Sequence, residues 1–144
     1  MTNLPPLPKQ NKTLEADFGV TFRAWIESHR ELFPHSATFE LKQTDGKASL
    51  NFSEVSATQI AYGATIEREG ALIRVQGMNG EPDYAWMAPD ARAYVVIEYP
   101  QGFCIIRVSA FVAERNASAR KSLTYERAWV IASHVVKTRG PPVG

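Results

Sequence analysis

Glu40 and Lys42 stand two residues apart in the run Ala37-Thr38-Phe39-Glu40-Leu41-Lys42-Gln43-Thr44. The run alternates as a strand does, so the carboxylate and the ammonium project from one face, and Phe39 and Leu41 from the other. A carboxylate beside an ammonium can hold a divalent cation and steady a water or phosphate oxygen next to it. The same spacing also describes a plain solvated ion pair. Asp83 follows Pro82 at the head of the aromatic run Tyr84-Ala85-Trp86-Met87, where an acid is either a turn former or a second carboxylate. If its strand lies beside the Glu40 strand, two carboxylates and a lysine converge on one sheet edge. That set suffices for metal-assisted phosphodiester hydrolysis, with the carboxylates on Mg²⁺ and the lysine on the nucleophile or the phosphate.

Further candidates flank this core. Extending the apolar stripe Phe18, Phe22, Trp25 backwards along its helix reaches Glu15. An acid there either meets a compensating partner or sits at the solvent margin and complements the helix dipole. Gln59 lies on the following helix and is either directed at the site or an ordinary exposed polar residue. His35, near the head of the Glu40 strand, is a metal ligand, a base or simply exposed. Trp86, Tyr84 and Tyr94 could stack on bases, although packing in the core or on a sheet face is the commoner use of each. Arg120 and Lys121 lie in the acid-free stretch 116–121, which Arg115 precedes, a candidate for phosphate contacts.

These residues need a scaffold, and the pattern supplies one. Residues 1–12 are Pro-rich and read as an extended arm. A helix is expected from Thr13, as N-cap, to about Leu32, ahead of Pro34. The Glu40 strand follows, then a turn at Asp45-Gly46-Lys47, a short extended piece, and a helix over 56–67 punctuated by Gly70. Strand periodicity then takes over at 71–75, 84–87, 93–97 and 103–108, with a helical turn at 109–114 and a last helix from Ser122 or Thr124 to about Val136. The order predicts one α/β domain over 13–138, a sandwich with a mixed, mainly antiparallel central sheet flanked by helices, and a tail at 139–144.

Composition narrows the classes. The chain has 144 residues, 44% of them hydrophobic, enough for a single core, and a formal charge of +1 that excludes a polycation. Basic residues nevertheless concentrate after residue 106, a bias that fits either a polyanion or a solvated helix face. The lone Cys104 rules out an intramolecular disulfide and a cysteine zinc cluster, and its apolar run predicts a buried thiol. No apolar stretch approaches spanning length and no signal peptide is visible, so the expectation is a protein of a reducing, intracellular (cytoplasmic) compartment with no membrane partner.

The run Phe39-Glu40-Leu41-Lys42-Gln43-Thr44, the piece Leu50-Asn51-Phe52-Ser53, a helix bearing Gln59 and a meander of apolar strands together resemble the PD-(D/E)XK nuclease superfamily. Within it the chain is most similar to Holliday junction resolvases of the RecU and Hjc type and their phage relatives, over residues 13–112. The resemblance implies a restriction-endonuclease-like fold and a Mg²⁺-dependent (or Mn²⁺-dependent) endonuclease of DNA recombination. The implied substrate is branched DNA such as a four-way junction, cut by a twofold homodimer. It further implies Glu40 and the Leu41 carbonyl as metal ligands, Lys42 as catalytic lysine, Glu15 as the first-helix acid and Gln59 as the helix glutamine. The family's other acid lies on the strand just before Glu-x-Lys. Here 33–39 carries no Asp, so Asp83 is assigned that role from a later strand. A catalytically inactive nucleic-acid-binding accessory domain and a small-ligand-binding domain are the alternatives.

Overall fold

The computed structural model describes residues 2–7, 15–76, 82–87 and 91–138, with the backbone alone described at 2–7, 15–17, 74–76, 82–83 and 138. In chain order the elements are β1 (Thr2–Leu7), α1 (Glu15–Ser28), β2 (Ala37–Gln43), β3 (Ser49–Asn51), α2 (Ala57–Glu69), β4 (Ala71–Gln76) and β5 (Pro82–Met87). They continue with β6 (Arg92–Tyr99), β7 (Gly102–Arg107), α3 (Val108–Ala117), β8 (Ser122–Thr124), α4 (Tyr125–Ile131) and β9 (His134–Thr138). Short 3-10 turns, Arg30–Leu32 and Phe52–Glu54, follow α1 and β3.

The central sheet has the order β1-β9-β7-β6-β2. Its strands β6 and β7 form a hairpin, and β9 returns antiparallel to β7. The outer pairings, β2 on β6 and β1 on β9, are parallel. The expected mainly antiparallel sheet is therefore corrected to an evenly mixed one. The reason is connectivity: α2 and the β4–β5 hairpin separate β2 from β6, and such a crossover brings strands back parallel. The ribbons β3–β8 and β4–β5 stand apart from the sheet.

Alternation along the central strands builds two cores. On one face Tyr94, Val96, Phe103, Ile105 and Val136 pack under Phe18, Phe22 and Trp25 of α1, as the helical stripe predicts. On the other face Val95, Ile97, Cys104 and Ile106 meet Phe111 of α3, Ala128 of α4 and Leu123 of β8. Helix α2 joins this second face through Gly63, where an added Cβ would lie 3.1 Å from the Ala93 Cβ and 3.2 Å from the Val108 Cγ2. A small third cluster seats Met87 and Ala91 on Ile66 of α2. At the β6–β7 turn, Gly102 has φ +151° and its Cβ position is 2.2 Å from the Val136 carbonyl oxygen, so only glycine lets β9 pass.

Two other expectations change. Residues 2–7, read as part of a free arm, are extended but edge the sheet on β9, with a register irregularity between Leu4 and Leu7 where Pro5 and Pro6 cannot donate. The last helix stops at Ile131, short of Val136, and β9 follows with Val135 and Val136 buried. Val-Val-Lys-Thr suits a pleated, buried strand better than a helix. Thr13 and the tail 139–144 lie outside the described residues. Among the described residues no helix is long and apolar enough to cross a membrane.

Candidate active site

Strand β2 puts Phe39 and Leu41 against the α1 core, so Glu40 and Lys42 turn to the α2 side, as the period-two pattern predicts. Lys42 Nζ lies 3.5 Å from Glu40 Oε1. Gln59 Nε2 donates to that same oxygen at 2.6 Å. Gln59 reaches it because α2 starts there. Ser56 is the N-cap, its Oγ accepting from the Gln59 N–H at 3.1 Å, and Gln59 Oε1 accepts from the Ser56 N–H at 3.0 Å. The glutamine thus closes a capping box with one end of its amide and holds Glu40 with the other. The alternative of an ordinary exposed polar residue is set aside by this contact.

Glu40 Oε2 has no hydrogen-bond partner among the described residues, and the side chain stays 43% exposed while Lys42 is 20% exposed. Glu40 borders a cleft of about 300 Å³ lined with it by Thr38, Thr58, Gln59, Tyr62 and Tyr94. Because β2 pairs only with β6 among the described strands, this cleft opens at an edge of the sheet. The Leu41 carbonyl lies on the same strand, with the Leu41 side chain on the α1 face.

The structure does not bring Asp83 onto a strand beside Glu40. β5 pairs with β4, placing Asp83 opposite Val75, whereas β2 pairs with β6. Both edges of β6 are taken, by β2 and β7, and Met87 ties the β4–β5 hairpin to α2 instead. The adjacency from which Asp83 was assigned is therefore not formed, and its side chain lies outside what is described. Glu15 is the first residue of α1, on the sheet face opposite Glu40, and its side chain is likewise undescribed. Among the described residues no three His, Cys, Asp or Glu side chains are placed to share a metal ion.

The basic C-terminal third is partly neutralised. Arg127 makes a two-pronged contact to Glu114, at 2.9 and 2.8 Å, which pulls the Glu114 carboxyl below its ordinary range. Arg107 is held by Glu67. Arg120 and Lys121 are exposed and Arg115 is half-buried, none of them ion-paired among the described residues. Tyr94 is buried and stacked on Phe39, so it serves the core, while Tyr84 and Trp86 are exposed. His29 stacks on Trp25, with its Nδ1 2.8 Å from the Trp25 carbonyl oxygen.

Sequence reasoning missed a second cleft, of about 430 Å³, where His35, Arg92, Tyr94, Arg107 and His134 meet. These residues come from a loop and from β6, β7 and β9, and the pairings of β6 with β7 and β2 and of β7 with β9 bring them together. No local spacing announces such a group. None of the family models, curated proteins or solved structures compared with the chain matches it, so its fold and site stand on their own geometry.

Proposed function

We propose that the protein is a metal-dependent DNA endonuclease that hydrolyses phosphodiester bonds at the Glu40–Lys42–Gln59 cleft, with branched DNA such as a four-way junction as substrate. The observation that carries this reading is the convergence of Gln59 and Lys42 on one oxygen of Glu40, a residue that lines an open cleft and whose Oε2 has no described partner. A carboxylate oxygen with threonine hydroxyls nearby is a hard donor set, which fits Mg²⁺, a cation that keeps several waters and needs few carboxylates. Glu40 would hold it, with the Leu41 carbonyl as a further ligand in this proposal. When bound, such a cation supplies a nucleophile at neutral pH and neutralises charge on the phosphate.

The chain's own residues do the rest. Gln59 fixes the carboxylate's rotamer, so Glu40 needs no reorientation when substrate arrives. Lys42, half-buried beside it, offers its ammonium to a non-bridging phosphate oxygen or to the attacking water. Two symmetric cuts at a four-way junction call for a twofold homodimer. A second reading, a nucleic-acid-binding domain of this fold without hydrolysis, is favoured by the separation of the β5 strand from β2.

Labelled junction, linear duplex and single-stranded DNA, incubated with Mg²⁺ or with EDTA, separate the readings. Cleavage that needs Mg²⁺ and disappears in Lys42→Ala and Glu40→Gln is the expected result. Cleavage should survive Asp83→Asn, and its loss there would return Asp83 to the site despite the separation of β5 from β2. Binding of junctions without cutting by the unaltered protein would give the accessory reading the lead.

A further inference from the structure

We infer that the cleft between Arg92 and Arg107 binds a backbone phosphate of a nucleic-acid strand that runs into the Glu40 cleft. The inference rests on the nucleic-acid reading above for the source of the phosphate, and on separate residues for the site.

The lining residues Phe33, His35, Arg92, Tyr94, Arg107 and His134 include no carboxylate. Arg92 is exposed at the head of β6, where its backbone N–H donates to the Ser36 carbonyl at 2.8 Å and anchors the rim. Its guanidinium has no ion-pair partner among the described residues. Arg107 is oriented in advance. Glu67 Oε2 accepts from its Nε at 3.0 Å and its Nη2 at 2.6 Å, and its Cζ stands 5.9 Å from the Tyr94 ring centre. Glu67 neutralises that charge, yet Nη1 keeps its donors without a described partner, and a guanidinium fixed on two sides loses little freedom on binding an anion. Arg92 then supplies the net positive charge. His134 is half-buried on Phe33, and burial pushes its pKa down, so it enters as a neutral hydrogen-bonding group.

Position links the two clefts. Tyr94 borders both, and the adjacent residues Ala37 and Thr38 at the head of β2 border one each. Arg92 pairs with Ala37 and Val95 with Glu40, so the two backbone positions are offset by three residues along the sheet, about 10 Å, and their side chains leave opposite faces, which a strand passing round the β2 edge would link. A short run of backbone phosphates spans that distance. A strand presented to Glu40 and Lys42 would lay a neighbouring phosphate against Arg92, giving the site a polarity along the substrate.

The test is anisotropy of a labelled four-way junction in EDTA, between 50 and 200 mM salt, for the unaltered protein, Arg92→Ala, Arg92→Lys and an Arg23→Ala control at an exposed position of α1 outside the cleft lining. Loss of one phosphate contact lowers the slope of log affinity against log salt by about 0.9, with retention in Arg92→Lys and in the control. Thermal melts verify that each variant folds. A slope unchanged in Arg92→Ala overturns the inference. Binding of inorganic phosphate that depends on Arg92, with no DNA bound, overturns the strand assignment. Because EDTA silences cutting, an Arg92-dependent slope in a protein that never cleaves sinks the hydrolase and spares this site. Cleavage with an unaltered slope does the reverse.

Discussion

Gln59 does two jobs with one amide, and substitutions can separate them. Gln59→Ala removes the donor to Glu40 and the acceptor for the Ser56 N–H. A hydrogen bond to a carboxylate contributes about 1.5–3 kcal/mol, and exposure of Glu40 reduces this here to about 1 kcal/mol. The reciprocal cap adds about 1 kcal/mol, so the loss is about 2 kcal/mol. At about 2.1 cal/mol/K per residue of unfolding entropy, that corresponds to a fall in Tm of about 7 °C for this chain. Gln59→Glu keeps the cap acceptor but replaces the donor with a second carboxylate against Glu40. Like charges raise a carboxyl pKa in the folded state, and an acid with a raised folded pKa destabilises above that pKa and recovers as pH falls through it. The deficit of Gln59→Glu should therefore exceed that of Gln59→Ala at pH 8 and shrink by pH 4, while the Gln59→Ala deficit holds steady. Thermal melts followed by circular dichroism at the two pH values decide this. Melting temperatures for both variants within about 1 °C of the unaltered protein, at both pH values, would refute the Gln59–Glu40 contact and with it the geometry of the site.

Two further outcomes follow from buried titratable groups. Glu98 is pushed above the usual carboxylate range by burial first and by nearby Asp45 as a smaller cause, against a lowering hydrogen bond from Gln43. Its charged form therefore opposes folding above the folded pKa, so Glu98→Gln, which keeps an acceptor for Gln43, should raise Tm at pH 7. The gain should fade as pH drops below the ordinary carboxylate range, in melts across pH 3.5–7. Cys104 lies wholly inside the sheet, and burial pushes its pKa up to about 12. A thiol reagent at pH 8 should leave it unmodified in the folded protein and react fully in denaturant, counted by mass spectrometry; rapid modification without denaturant would contradict the packing.

What was legible in the sequence was what repeats locally. The stripe of Phe18, Phe22 and Trp25, the alternation that sends Glu40 and Lys42 to one face, and the helix that begins near residue 56 are all short-range signals, and each is realised. Partner choice between strands was not legible. Nothing in Pro82–Met87 says whether it joins β2, joins β6 or folds back on β4, because apolar strands pair with whatever edge remains open. The assignment of Asp83 depended on that choice. His134–Thr138 misled for a related reason: its valines read as the inner stripe of a helix that breaks at Ala132. The cleft of Arg92 and Arg107 was invisible because its members meet only once the hairpin registers.

The pairing of β1 with β9 has a kinetic consequence. Thr2 aligns with His134, so among the described strands β1, the earliest in sequence, bonds only to β9, the latest. Until β9 arrives, β7 also presents an open edge lined by Phe103 and Cys104. Contacts so distant in sequence slow folding, and they leave a sticky intermediate exposed during synthesis. Removing β9 by truncation would therefore cost more than one strand: it would free β1 as well and lengthen the interval in which the half-built sheet can pair with a neighbour. Chaperone dependence in cells, rather than lowered melting temperature alone, is where such a lesion would first be felt.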